Sequence, residues 1–440
     1  MNGRISGVLT SEEGCFEYDG LVRGLDGKDA SLRLASLEML AEKMEKGEIE
    51  RPSCGNDVNN HIHTIYSFSP YSPAKALWMA LKAGLSTAGI MDHDSVGGIR
   101  EFIEGGKIIG IATTVGVECR ADFSKTPLCG RSMNNPDQKS IAYVALHGIP
   151  HTMIDRVGDF FAPYAAERNK RNALMVQRLN KITGRFNVTL DYEKEVVPLS
   201  MRHEGGSVTE RHILYGLSLK LIEKFGKGPR IVEFLKDKLK LGLSPKVEGY
   251  LLGGENEYYE YDLLGALKSE MVGRFYVEAG AECPDIRIVA EFSKEIGAIL
   301  AYAYLGDVGE SATGDKKAQK FEDDYLELLF DVIGELGFNA VTYMPSRNTL
   351  EQLRKVKDMC ARRGLFQISG EDINSPRQSF VCPALRNGEF KNLVDSTWAL
   401  IGHEKAATRD IGLGMFSPET VKKYPDLNER IEVFKEIGIG

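Results

Sequence analysis

"GFNAVTYMPSRNTLEQLRKVKDMCARRGLFQISGED" runs from Gly337 to Asp372. Two short apolar runs, "NAVTYM" and "LFQISGED", flank the helical pattern "TLEQLRKVKDMCARRG". Strand, helix and strand in that order make the repeating unit of an α/β sheet. The second run ends in acidic residues, Glu371 and Asp372, with Asn374 just beyond. In a parallel α/β fold the working side chains stand at the C-terminal ends of strands.

The same alternation extends in both directions. Upstream, "NDVNNHI", "STAGIMDHD", "IATTVGVEC" and "KSIAYVAL" read as strands, separated by the helices "SPAKALWMALKAG" and "VGGIREFIEGGKIIG". Ser72 and Pro73 mark the start of the first of these helices. A long helix is predicted over Pro163–Ile182. Later come the helix "PDIRIVAEFSKEIG", the strand "AILAYAYLGD" and the helix "KKAQKFEDDYLELLFDVIGELG". About seven strands joined by helices favour a parallel α/β architecture.

Two regions depart from this rhythm. Residues 184–285 are mostly helical in pattern ("HILYGLSLKLIEKFG", "RIVEFLKDKLKLG") and read as a helical insertion. Residues 1–55 read as an N-terminal extension. It carries one amphipathic helix, "DASLRLASLEMLAEKMEKGE", capped by Asp29, with Leu37, Leu40 and Met44 on one stripe. The barrel-forming parts are then 56–183 and 286–383, and 384–440 is a C-terminal extension of mixed character.

Composition narrows the class. The chain has 440 residues, 42% hydrophobic and 27% charged, which is ordinary for a soluble globular protein. No apolar run approaches the roughly 18 residues of a membrane span. The first residues lack the basic and apolar regions of a signal peptide. Seven scattered cysteines without a C-x-x-C pair fit a reducing cytoplasm better than a disulfide framework. A net charge of −8 without a long basic cluster argues against nucleic acid as a partner, and nothing in the sequence fixes an oligomeric state. An acidic chain that binds an anion needs a local positive source, and a metal ion is one.

The strand ends supply the ligands for such an ion. His61 and His63 follow the first strand, with Ile62 between them pointing away. Asp92, His93 and Asp94 follow the second, Glu118 the third, His147 the fourth, and Asp372 the last. Imidazoles and carboxylates in this mixture suit zinc, manganese or iron. Cys119, beside Glu118, points to the opposite face of its strand and reads as core.

The order of these motifs resembles the PHP (polymerase and histidinol phosphatase) family over about residues 56–378. H-x-H-T corresponds to His61, His63 and Thr64. T-D-H-D corresponds to Met91, Asp92, His93 and Asp94, and G-x-E to Gly116 and Glu118. G-S-D-x-H corresponds to Gly370, Glu371, Asp372, Ile373 and Asn374. The resemblance implies a distorted seven-stranded (β/α)7 barrel with an inserted helical lid. It also implies a metal-dependent phosphoesterase acting on a small phosphorylated substrate, a nucleotide in some members of that family. One to two divalent ions are expected.

The implied metal ligands are His61, His63, His93, Glu118, His147, Asp372 and Asn374. Asp92 and His93 are the implied catalytic groups. Arg120, Arg211, His212 and Tyr302 are the implied substrate contacts, with "ERHILYGL" similar to the G-R-P-H-I-A segment of nucleotide-cleaving members. The chain departs from the family at Tyr302 and Asn374, where histidines are expected, and at Ser69. Plainer roles stand beside these. Arg211 and His212 would close a helix start, Arg120 would form a surface ion pair, Tyr302 would be core, and Asn374 would cap a turn. The thinned ligand set also admits a non-hydrolytic protein that binds a ligand or partner with one metal or none.

Overall fold

The computed structural model describes residues 12–307 and 320–440. The first part of the N-terminal stretch read as lacking a signal peptide is 1–11, and the expected first turn of the 316–337 helix is 316–319. Both lie outside the described residues.

Seven strands form one sheet whose spatial order follows the sequence: β1 (Asp57–Ile62), β2 (Leu85–His93), β3 (Ala112–Asp122), β4 (Ile141–His147), β5 (Ile299–Tyr304), β6 (Ala340–Tyr343) and β7 (Phe366–Ser369). The helices between and around them are α1 (Glu12–Gly24), α2 (Ala30–Glu45), α3 (Pro73–Lys82), α4 (Ile99–Ile109), α5 (Ile154–Thr183), α6 (Glu210–Phe225), α7 (Pro229–Glu233), α8 (Pro245–Leu252), α9 (Tyr259–Phe275), α10 (Ile286–Ile296), α11 (Leu326–Leu336), α12 (Leu350–Arg363), α13 (Lys391–Arg409), α14 (Pro418–Lys423) and α15 (Leu427–Ile439).

The sheet is mixed rather than parallel, because β4 runs antiparallel to both β3 and β5. The physical reason lies in the connection. A parallel return needs a crossover, usually a helix, and residues 123–140 contain none. The sheet curls, as a distorted barrel would, but among the described residues no ladder joins β1 to β7. Between β1 and the far edge there is one backbone bridge, Ile62 to Ile373, beside side-chain bonds such as Asn60 Nδ2 to Ser369 O at 2.8 Å. At the bridge His63 N donates to Ile373 O at 3.0 Å and Ile373 N donates to His61 O at 3.1 Å. The result is a curled half-barrel.

The convex face packs on the surrounding helices through alternate strand residues such as Val117, Val144, Tyr302 and Val341, all buried. Cys119 belongs to this layer, as its strand position required. On the concave side Ile299, Ala301, Ala340, Phe366 and Ile368 pack on Ala399 and Leu400 of α13 and on Phe434 of α15. The C-terminal segment thus floors the half-barrel. Polar contacts fix it: Asn60 Nδ2 donates to Thr397 Oγ1 at 2.7 Å, and Glu404 accepts from Thr114 Oγ1 and Val115 N at 2.8 Å each. Residues between Met175 and Phe275, together with Phe68, make a separate apolar cluster.

Local chemistry explains several boundaries. Asp29 caps α2 by accepting from Leu32 N, and Ser72 caps α3 by accepting from Lys75 N. α2 is fastened to α4 by a buried bidentate pair, Arg33 with Glu101. α5 starts nine residues before the expected Pro163 and holds that proline inside. Burial of Ile154, Val157 and Phe161 outweighs the hydrogen bond the proline forfeits. α11 begins at Leu326, later than expected, after a 3₁₀ turn at Asp323–Tyr325.

Candidate metal centre

The site is built at the bulged end of β1. The β1–β2 register shifts between Asn59 and Ile62, and a bulge of this kind re-aims side chains. Two glycines make room for it. A Cβ on Gly89 would lie 2.7 Å from Asn60 Cα, and one on Gly370 would lie 2.5 Å from His61 Cβ. His61 and His63 emerge with ring centroids 5.0 Å apart. β2 delivers His93 in register with Glu118 of β3, and the turn after β7 delivers Asp372.

These five residues form two overlapping groups. His61, His63 and Asp372 offer ligand atoms within 4.8 Å of one another, and so do His63, His93 and Glu118. His63 Nε2 lies 3.2 Å from Asp372 Oδ1, and His93 Nδ1 lies 3.1 Å from Glu118 Oε2. His61 Nε2 is 3.7 Å from the same Glu118 oxygen. Glu118 is not at the end of its strand. β3 continues to Asp122 because the antiparallel β4 pairs with it there.

A relay of side chains orients His63. Asp92 is buried and accepts three hydrogen bonds, from Thr64 N at 2.7 Å, Thr64 Oγ1 at 2.6 Å and Ser67 Oγ at 2.6 Å. The single Ser67 proton is committed to Asp92. Ser67 Oγ therefore accepts from His63 Nδ1, 3.2 Å away. In the neutral ring this leaves the Nε2 lone pair facing Asp372, so an acceptor meets an acceptor at 3.2 Å. That arrangement calls for a positive centre beside both atoms, and the donor set fits a divalent cation.

The electrostatics are consistent with this fit. Burial, helped by His63 and Arg168, keeps His93 well below the ordinary histidine value, so its imidazole is neutral. Burial opposes charge on Asp372, but the adjoining His63, His61 and Arg211 hold it well below the usual carboxylate range. Burial also works against charge on His61, yet Glu118, Asp372 and Asp92 outweigh it and raise its value. Burial is the main influence on Asp92 and raises it.

The remaining sequence-named residues fall in different places. Asn374 stands in the site, but its Nδ2 donates to Asp372 Oδ1, so the amide positions the carboxylate. Arg211 is half-buried at the start of α6 and near Asp372. His212 is buried in a capping box, where Nδ1 accepts from Thr209 N at 2.9 Å, and its ring packs edge-on against Phe68. Arg120 is buried and ion-paired with Glu210 and Glu282 instead of lying on the surface.

Two of the named residues stand outside both ligand groups. His147 ends a strand that runs the opposite way, so it lies opposite Gly116 on β3, away from the Glu118 level, and joins neither ligand group. Tyr143, at the other end of β4, stands beside His93 instead, ring centroids 5.6 Å apart. Tyr302 is buried in the apolar layer on the outward face of β5. Its hydroxyl donates to the buried Glu322 at 3.0 Å.

Sequence reasoning missed Ser67 and the buried charges of Arg168, Arg171, Glu210 and Glu282. For Ser67 the signal was its place four residues beyond His63. For the arginines it was two charges at i and i+3 on the buried face of α5.

No family model and no curated protein matches the sequence. The chain is similar in fold to two solved structures. One, from Bifidobacterium adolescentis, is described as a candidate metal-dependent phosphoesterase, with 18% identity, a TM-score of 0.49, and coverage of 77% of this chain and 96% of that one. The other is an amidohydrolase from Chromobacterium violaceum with bound sulfate and no metal, with 14% identity, a TM-score of 0.47, and coverage of 74% and 90%. Among the described residues, no helix is long and apolar enough to cross a membrane.

Proposed function

We propose that this chain is a metal-dependent hydrolase that cleaves a small phosphorylated substrate by water attack. The observation that carries the reading is the pair His63 Nε2 and Asp372 Oδ1, two acceptors 3.2 Å apart with the histidine tautomer set from behind by Ser67. His63 belongs to both ligand groups and has one lone pair to give. One ion per chain therefore satisfies the site better than two, held by His61, His63, Glu118 and Asp372 with His93 alongside. A zinc, manganese or iron ion in this place supplies Lewis-acid charge and makes a water more acidic.

The chain's own groups divide the remaining work. His93, at 27% side-chain exposure, is the most open of the three imidazoles and is assigned the proton of the attacking water. Arg211 brings positive charge to the phosphoryl oxygens from the α6 side. Asp92 and Asn374 are positioning residues, acting through Ser67 and Asp372.

The test is elemental analysis of protein purified without chelator, paired with hydrolysis of para-nitrophenyl phosphate before and after chelation. About one ion per chain, and hydrolysis lost on chelation and restored by added metal, is the expected result. Metal-free, inert protein that stays inert with added metal would overturn the reading.

A further inference from the structure

Next to the ligand ring lies a buried cluster of three arginines and three carboxylates. Arg120 projects from β3, two residues beyond Glu118 on the same face. Arg168 and Arg171 come from α5. Asp94 follows His93 in the left-handed region at φ +48°. Glu282 precedes α10, and Glu210 is the first residue of α6.

Glu282 ties the arginines together. It pairs with Arg120 Nη2, with Arg171 Nε at 2.6 Å and with Arg168 Nε at 3.5 Å. Asp94 pairs with Arg168. These five side chains are at most 6% exposed. Glu210 differs from them at 23% exposure. One of its oxygens, Oε1, receives both Arg171 Nη2 and Arg120 Nη1, the latter at 3.4 Å.

Three positive and two negative charges are thus fixed, and one partly exposed carboxylate completes the balance. Burying such a cluster is costly unless each charge is met. A carboxylate oxygen held between two guanidinium groups is the arrangement that recognises an oxyanion. Arg120 stands two residues beyond Glu118 on β3, and Asp94, which pairs with Arg168, directly follows His93, so this pocket lies beside the candidate metal centre.

We infer that Arg120 and Arg171 form an oxyanion-binding pocket that Glu210 occupies as an internal stand-in, and that the phosphoryl group of a small ligand displaces Glu210 to enter it. The role in substrate recognition rests on the hydrolase reading; the binding itself needs no metal. Glu210 then acts as a gate. A neutral or cationic ligand cannot take its place, because the arginines would be left unmatched.

The experiment is titration of inorganic phosphate by calorimetry into wild type, Glu210→Gln and the double variant Glu210→Gln with Arg171→Met. Each is measured both metal-loaded and chelator-treated. Glu210→Gln is expected to bind phosphate about ten-fold or more tighter than wild type. The gain should survive chelation and vanish in the double variant. No gain in Glu210→Gln, or a gain that persists in the double variant, would overturn the inference. A gain lost on chelation would place the phosphate on the metal and also overturn it, while leaving the metal reading intact. If Glu210→Gln does not fold, Glu210→Asp decides by the same readout, since its shorter side chain cannot span both arginines.

Discussion

His63 and Asp372 meet at 3.2 Å, Nε2 to Oδ1, across the open edge of the sheet. His63 is also the one side chain common to both ligand groups. His63→Ala should therefore abolish metal retention, while His61→Ala and His93→Ala each leave a weakened site. Elemental analysis of the three variants checks this. Equal metal content in wild type and His63→Ala would refute it.

Ser67 acts on the metal only through the His63 tautomer. Ser67→Ala should weaken metal affinity by about ten- to a hundred-fold, the usual scale for a group behind a ligand. Ser67→Thr, which keeps the hydroxyl, should largely restore it. Competition with a fluorescent chelator measures both. An unchanged affinity in Ser67→Ala would remove Ser67 from the relay.

A Cβ on Gly370 would lie 2.5 Å from His61 Cβ and 2.8 Å from its backbone N. Gly370→Ala should push β1 out of place, costing about 1–3 kcal/mol as overpacking does, and should lower metal affinity as well. Urea unfolding and metal titration give the two numbers. A fully stable variant with normal affinity would mean that the bulge adapts.

Glu322 links stability to pH. Burial lifts its carboxyl from an ordinary 4.5 to about 7, against the hydrogen bonds from Tyr302 and the backbone N–H groups of Leu305 and Gly306. The folded state then holds the proton more tightly than the unfolded chain. Stability falls as pH rises from about 4.5 through about 7, by something on the order of 3 kcal/mol. Glu322→Gln should flatten that fall, and unfolding midpoints at pH 5 and pH 8 for both proteins decide it.

Arg33 and Glu101 fasten α2 to the sheet-side helix α4 while fully out of solvent. Arg33→Met leaves Glu101 buried without its partner and should cost about 3–5 kcal/mol. A stability within error of wild type would show that the carboxylate finds other donors.

The sequence carried some of these relationships and concealed others. The side chains that converge at the site all sit in short motifs: H-x-H, D-H-D, G-x-E and the acidic end of the last strand. Local spacing is enough to read them. Strand direction is not local. Nothing within "KSIAYVALHG" says which way it runs, so the antiparallel course that sets His147 opposite Gly116 was not legible there. The one clue was the lack of a helical pattern between β3 and β4. The arginine cluster was hidden for a related reason. Arg168 and Arg171 look like ordinary helix-surface residues until Glu282, more than a hundred positions away, is brought beside them.

The floor of the half-barrel comes from α13 and α15, at the far end of the chain from His61. During synthesis the concave face, with Ile299, Ala301, Ala340, Phe366 and Ile368, is complete before the helices that cover it have left the ribosome. The nascent protein passes through a stage with an uncovered apolar trough and a histidine ring still lacking its final support. Such intermediates aggregate or engage chaperones, and the exposure ends when α13 and α15 dock.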